Sequence, residues 1–147
     1  MTITEIKENK KQYLSLLLLA DEQEDMIDRY IEKGTMYVLD DQGVKSECVI
    51  TDEGNGTLEI KNIATVPKYQ GKGYAKALID FLVKEYGGKC FTLQVGTGDS
   101  PLTVPFYEKC GFVRAYSIPN FFTDHYDHPI YESGVQLVDM IYLKRTL

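Results

Sequence analysis

VPKYQGKGYAKALIDFL, running from Val66 to Leu82, sets a proline and two glycines directly ahead of an amphipathic helix. The residues before it, Thr57 to Val66, read as a strand, and Pro67 ends that strand. Ala75, Leu78, Ile79, Leu82, Val83 and Tyr86 then recur at helical spacing until Gly87-Gly88 stops the run. Strand, glycine turn and helix together aim several main-chain N–H groups at one point, where the helix dipole also favours negative charge. Gly71 and Gly73 let the backbone approach a ligand with no Cβ in the way, and Lys72 adds a positive charge. The guest that suits such a turn is a phosphate or pyrophosphate. Two nucleotide fingerprints fail here. Lys76 stands where a dinucleotide-binding loop needs its third glycine, and Gly73-Tyr74 does not supply the Ser or Thr of a Walker A loop.

Working outward, Thr2 to Ile6 alternates as a short strand, and Tyr13, Leu16, Leu17 and Ala20 predict a helix over about Glu8 to Ala20. Asp21 reads as the N-cap of a second helix, with Glu24 completing a capping box and Met26, Ile27, Tyr30 and Ile31 as its apolar stripe up to Gly34. Strands follow at Thr35–Leu39 and Val44–Thr51, joined by Asp41-Gln42-Gly43, and the turn Asp52–Gly56 leads into Thr57–Val66. After the glycine-led helix come a strand at Cys90–Val95, a helix over Leu102–Lys109, and strands at Phe112–Ile118 and Val135–Leu143. The segment 119–134 between the last two strands reads as an irregular loop. No repeat or linker interrupts the chain, so residues 1–147 are expected to form a single domain. The fold class is α+β, with a mixed, mostly antiparallel sheet of about 6–7 strands flanked by about 4 helices.

The chain is acidic, with a formal net charge of −6, which argues against a nucleic-acid partner. Its longest apolar run, Leu16 to Ala20, is too short to span a bilayer, so no membrane partner is expected either. Cys48, Cys90 and Cys110 show no metal-ligand spacing and read as reduced thiols, pointing to a cytoplasmic location.

The segment QGKGYA, Gln70 to Ala75, resembles the Q/R-x-x-G-x-G/A signature of the GNAT N-acetyltransferase superfamily. PFYEKCGF, Pro105 to Phe112, is similar to the family's second landmark, a Tyr-x-x-x-Gly-Phe closing the next helix. The order of elements agrees with that topology along essentially the whole chain. The resemblance implies acetyl-CoA as co-substrate and an amine as acceptor. It implies that the pyrophosphate lies on the amides of Gln70, Gly71, Lys72, Gly73, Tyr74 and Ala75. The pantetheine arm would run along Ile63, Ala64, Thr65 and Val66, where this strand splays from the next. A main-chain N–H near Ala64 or Thr65 would then polarise the thioester carbonyl.

Tyr107 matches the family tyrosine, and a phenol with an ordinary pKa near ~10 can protonate a thiolate whose conjugate acid lies near ~8.5. Glu59 falls where the histone-acetylating branch carries its glutamate, and it is the expected base, with a water chain, as in many relatives, the alternative. A regular strand would put Glu59, Lys61 and Ile63 on one side unless a bulge intervenes; the alternative is a surface pair with Lys61. Ser100 stands where the family often has a cofactor-contacting Asn. On the acceptor side, His125, Tyr126 and Asp127 lie in the irregular loop, which is expected to decorate the cleft. No metal site is expected in it. The acidic residues there would suit a cationic small-molecule or peptide amine, and the chain would work as a monomer or homodimer. A protein of another class, an acyl-CoA-binding sensor with weak catalysis, would share the anion site.

Overall fold

The computed structural model describes residues 1–147 and is organised on one seven-stranded sheet. In chain order the elements are β1 (Thr2–Ile6), α1 (Leu14–Ala20), α2 (Glu24–Ile27), β2 (Thr35–Asp40), β3 (Val44–Gly54) and β4 (Thr57–Thr65). Then follow α3 (Tyr74–Tyr86), β5 (Thr92–Gly98), α4 (Thr103–Lys109), β6 (Val113–Ile118) and α5 (Phe121–His125). A two-stranded hairpin of β7 (Tyr131–Glu132) and β8 (Val135–Gln136) precedes β9 (Met140–Thr146). The main sheet has the order β1-β2-β3-β4-β5-β9-β6, and β4 with β5 is its parallel pair. That pair is bridged by α3, since a parallel return needs a crossover. The mixed α+β architecture is the expected one, with five α-helices in place of four.

Each face of the sheet has its own core. On one face α3 inserts Leu78, Ile79 and Leu82 against Leu58, Ile60, Leu93 and Val95, while α4 adds Val104 and Tyr107. On the other, Leu17 of α1 and Ile27 of α2 pack with Tyr30 and Ile31 against Met36, Val38 and Val49. Every large aliphatic side chain withdrawn in this way contributes about 1.5–3 kcal/mol.

β4 is not regular. Val49 faces Asn62 while the next residue, Ile50, faces Ile60, so Lys61 is an extra residue on β4. Such a bulge bends its strand and shifts the alternation of faces. Ile63 consequently packs with the α3-side core, whereas Asn62 donates to Tyr30 on the other face and Glu59 lines a chamber with that tyrosine. The pairing of β4 with β5 also ends here: it runs from Thr57–Thr92 to Ile60–Val95 and no further.

Three expected elements come out differently. Asn9 adopts a left-handed conformation, so the first helix opens as a 3₁₀ turn over Lys10–Tyr13 and becomes α-helical only at Leu14. Asp21 is extended rather than capping, and α2 is a single turn begun by Gln23, because the Asp21 carboxylate is engaged by two tyrosines. The strand expected over Val135–Leu143 is split: Val135–Gln136 pairs as β8 with β7 across a turn at Ser133 and Gly134, both at positive φ, and β9 begins only at Met140. The segment 119–134 also contains α5, packed through Phe122 with Ile130 and Leu137.

Lys10 ties the α2 region to the turn before α1. Its buried ammonium donates to the carbonyls of Ile31 (3.0 Å), Glu32 (3.2 Å) and Gly34 (2.6 Å). Charged hydrogen bonds to buried carbonyls are costly to leave unmade. We expect Lys10→Met to lower folding stability by about 2–3 kcal/mol, read as a shift in the urea midpoint with an unchanged slope.

Candidate active site

Where β4 leaves β5 the sheet opens into a cleft of about 630 Å³. Ile60 to Thr65 line one wall and Val95 to Gly98 the other. One end reaches the turn before α3, through Gln70, Gly71, Gly73, Tyr74 and Ala75; the opposite end reaches Asp21, Glu22 and Tyr126. The strand-to-helix turn has the form that the sequence suggests. Gly71 (φ +77°) and Gly73 (φ +88°) are both left-handed, and a Cβ at either would meet nothing within 4 Å, so the glycines serve backbone conformation and approach rather than packing. Gln70 donates to the Thr65 carbonyl at 3.3 Å, and the Tyr74 hydroxyl donates to Asp41 at 2.7 Å.

A group of cations surrounds this end. The ammonium groups of Lys45, Lys68 and Lys72 lie 4.3, 5.2 and 5.5 Å from the centre of the Tyr69 ring. Lys68 and then Lys45 lower the Tyr69 phenol's proton affinity. Lys45 comes from β3 and Lys68 from a second 3₁₀ turn, Pro67–Tyr69, so sequence spacing around the glycines points to Lys72 alone.

Tyr107 of α4 lines the cleft from the α3-side core, held edge-on between Phe106 and Phe112 at ring separations of 5.2 and 5.6 Å. Burial, with a smaller contribution from Cys110, raises its phenol above the ordinary tyrosine range. A neutral hydroxyl is thus maintained at physiological pH. Burial likewise pushes the Cys110 thiol up. Glu59 is buried, not on the surface, and both oxygens are engaged: Gln94 donates to Oε1 at 2.6 Å, while Lys61 (2.7 Å) and Tyr142 (3.2 Å) meet Oε2. It lines a smaller chamber of about 200 Å³ that shares Asp21, Ile60, Lys61, Gly96, Tyr126 and Met140 with the main cleft.

Several predicted positions stand apart from the cleft wall. Val66 spends its N–H on the Lys45 carbonyl, Lys72 turns over Tyr69, and Ser100 accepts from the Leu102 amide at the start of α4. His125 lies exposed against the Phe121 ring. Asp127 is exposed and paired with His128, while its N–H donates to Gln23. Tyr126 does line the cleft.

Tyr126 belongs to a network that single residues in the sequence do not betray. Its hydroxyl donates to Asp21 Oδ1 at 2.7 Å, and Tyr30 donates to Oδ2 at 3.1 Å. Asn62 in turn donates to Tyr30 (3.1 Å) and to the Leu17 carbonyl (3.0 Å). Burial raises the Asp21 carboxyl; hydrogen bonds from Tyr126, Tyr30 and the Gln23 main chain offset that only in part. His128, bridging Asp127 and Glu22, fastens the same loop to the α1–α2 segment, and those carboxylates raise its imidazole. The acceptor loop and the α1–α2 segment are therefore one wall, although about a hundred residues separate them.

Known proteins similar to this chain identify its family. The description "Acetyltransferase (GNAT) domain" matches residues 32–114. YvbK, an uncharacterized N-acetyltransferase of Bacillus subtilis, is 35% identical over 140 residues, covering 93% of this chain and 90% of that protein. An IAA acetyltransferase from Bacillus cereus is 37% identical with a TM-score of 0.91, over 99% of both chains. A GNAT family acetyltransferase from Elizabethkingia anophelis, solved with acetyl-CoA bound, is 33% identical with a TM-score of 0.93, over 99% of this chain and 97% of that one. The chain belongs to the GNAT acetyltransferase family and is an acetyltransferase. No helix is long and apolar enough to cross a membrane.

Beneath the cleft wall lies one further titratable group. Glu47 on β3 is fully buried, and neither carboxylate oxygen has a hydrogen-bond partner; the Asn62 Oδ1 on the adjoining strand is also unpaired. Burial raises the Glu47 carboxyl well above its usual range. Because the folded value lies above the unfolded one, this group's contribution is fully present below about pH 4.3 and is lost as pH rises through the folded value. Urea midpoints measured between about pH 5 and 9 should fall with pH in the parent protein, and Glu47→Gln should remove that fall.

Proposed function

We propose that the protein moves the acetyl group of acetyl-CoA to a primary amine by direct attack within a ternary complex. The observation that carries this reading is the continuity of the cleft, which runs from the glycine turn past Tyr107 to Asp21 and Tyr126. A donor and an acceptor entering from opposite ends would meet in the gap between β4 and β5. The Elizabethkingia relative's bound acetyl-CoA supports the choice of donor.

In this reading the coenzyme's pyrophosphate rests on the amides from Gln70 to Ala75 at the N-terminus of α3, with Lys45, Lys68 and Lys72 supplying countercharge. The pantetheine follows Ile63, Ala64 and Thr65. Val66 donates its N–H to β3, so strand alternation leaves the N–H groups of Thr65 and Ile63 for the cleft, where one polarises the thioester carbonyl. Ser100 supports the start of α4 and thereby the placement of Tyr107.

The acceptor arrives as an ammonium and must lose a proton before it has a lone pair. Glu59 and Asp21, which share the smaller chamber, are the carboxylates that receive it. The free amine attacks the thioester carbon, the carbon–sulfur bond breaks, and Tyr107 gives its proton to the departing thiolate. The proton left on the new amide nitrogen returns to the phenolate, and the carboxylate releases its own to solvent. The products are an acetamide, free coenzyme A and one proton. A route through an acyl-cysteine is not needed: Cys110 is a buried neutral thiol outside the cleft wall.

Thiol release from acetyl-CoA, screened over polyamines, amino acids, aminoglycosides and lysine peptides, should occur for some acceptor and fall about 100-fold in Tyr107→Phe. Calorimetry should show coenzyme A binding that Gly73→Val weakens at least ~10-fold, since a branched side chain resists positive φ where the backbone must meet the anion. Persisting coenzyme binding with no acceptor turned over would instead favour a sensor of acyl-CoA.

A further inference from the structure

The smaller chamber carries charges that the transfer reaction alone does not explain. Arg29 and Lys33, both exposed at their outer ends, line it together with Asp21, Glu59 and Lys61. Lys61 and Glu59 neutralise each other at 2.7 Å. Arg29 and Lys33 belong to none of the chain's ion pairs. Of the acids around α2, Glu24 and Asp28 share Lys11, while Asp25, which accepts from the neutral Gln23 amide, and Glu32 keep their charge but do not line the chamber. Among the charged side chains that line the chamber of about 200 Å³, Asp21 is thus the carboxylate without a cation on it, and Arg29 and Lys33 are the cations without a carboxylate. The Arg29 charge is close enough to act on the Tyr126 phenol, which itself holds Asp21.

Asp21 is well placed to take an ammonium. Its carboxylate has about four acceptor positions, and the two tyrosine hydroxyls fix its orientation while using only some of them. It lines both cavities, so a nitrogen held there is also at the acceptor end of the main cleft. A simple polyamine would gain from Asp21 but would set its second charge against Arg29 and Lys33. A molecule with an amine at one end and a carboxylate at the other matches both.

We propose that the acceptor is an amino carboxylate, an amino acid or a close derivative, whose ammonium is held by Asp21 and whose carboxylate is met by Arg29 and Lys33. This rests on the acetyltransfer reading and specifies its acceptor. It departs from the expectation of a cationic amine, because that expectation weighed only the acids of the loop and net charge.

The test compares amino acids with their own decarboxylated amines as acceptors in the thiol-release assay. In the parent protein kcat/KM should favour the amino carboxylate by at least ~10-fold. The double substitution Arg29→Glu with Lys33→Glu should invert that preference, and because both residues are exposed it should leave the urea midpoint near that of the parent. Asp21→Asn should reduce turnover of both members of each pair. Equal or better use of the decarboxylated amines, with a ratio the double substitution does not move, would overturn the amino carboxylate while leaving the acetyltransferase reading intact. No thiol release with any member of the panel would overturn the amino carboxylate, and none with any acceptor of the wider screen, while coenzyme A still binds, would overturn both.

Discussion

The loss of main-chain pairing between β4 and β5 after Ile60 and Val95 is the constraint from which the site follows. A parallel pair buried in a sheet normally keeps its hydrogen bonds, because unpaired amides away from water are costly. Here the extra residue Lys61 bends β4 just where pairing stops, and the freed edges line a cleft. The unpaired N–H and C=O groups are tolerable because a peptide-like ligand or water can satisfy them. The pantetheine arm, with its two amides, is such a ligand. The sheet therefore exchanges ladder bonds for a binding groove, and Tyr107, Asp21 and the glycine turn matter because they border it.

Much of this was legible in one dimension, and the parts that were not share a cause. Strand β4, the turn at Gly71 and Gly73 and the apolar stripe of α3 are local patterns, and periodicity reports them. The bulge at Lys61 is invisible until β4 is laid against β3, since one extra residue has meaning only relative to a partner. Asp21 is the sharper case. As a local signal it reads as a helix cap; in the fold its carboxylate is claimed by Tyr30, nine residues away, and by Tyr126, 105 residues away. A long-range pair of charge-assisted bonds outweighs a cap of about 1 kcal/mol, and the predicted helix shrinks to one turn. Likewise the segment around His125 and Asp127 shows no period, yet Phe122 buries itself with Ile130 and Leu137 and carries a short helix with it.

The distribution of charge bears on how an acidic protein accommodates an acidic coenzyme. With screening lengths near ~8 Å at physiological ionic strength, the net charge of −6 acts weakly at the cleft, and groups within one such length decide the potential there. Lys45, Lys68 and Lys72 are gathered on one tyrosine ring beside the glycine turn. Their convergence offsets the repulsion that composition alone would suggest. The same reasoning applies at the opposite end. Carboxylates dominate the chain as a whole, but in the lining of the smaller chamber Glu59 is paired with Lys61, and Asp21 shares that lining with Arg29 and Lys33. Local pairing, not composition, sets the charge at each mouth of the cleft: lysines gathered beside the glycine turn at one, side chains of both signs lining the chamber at the other.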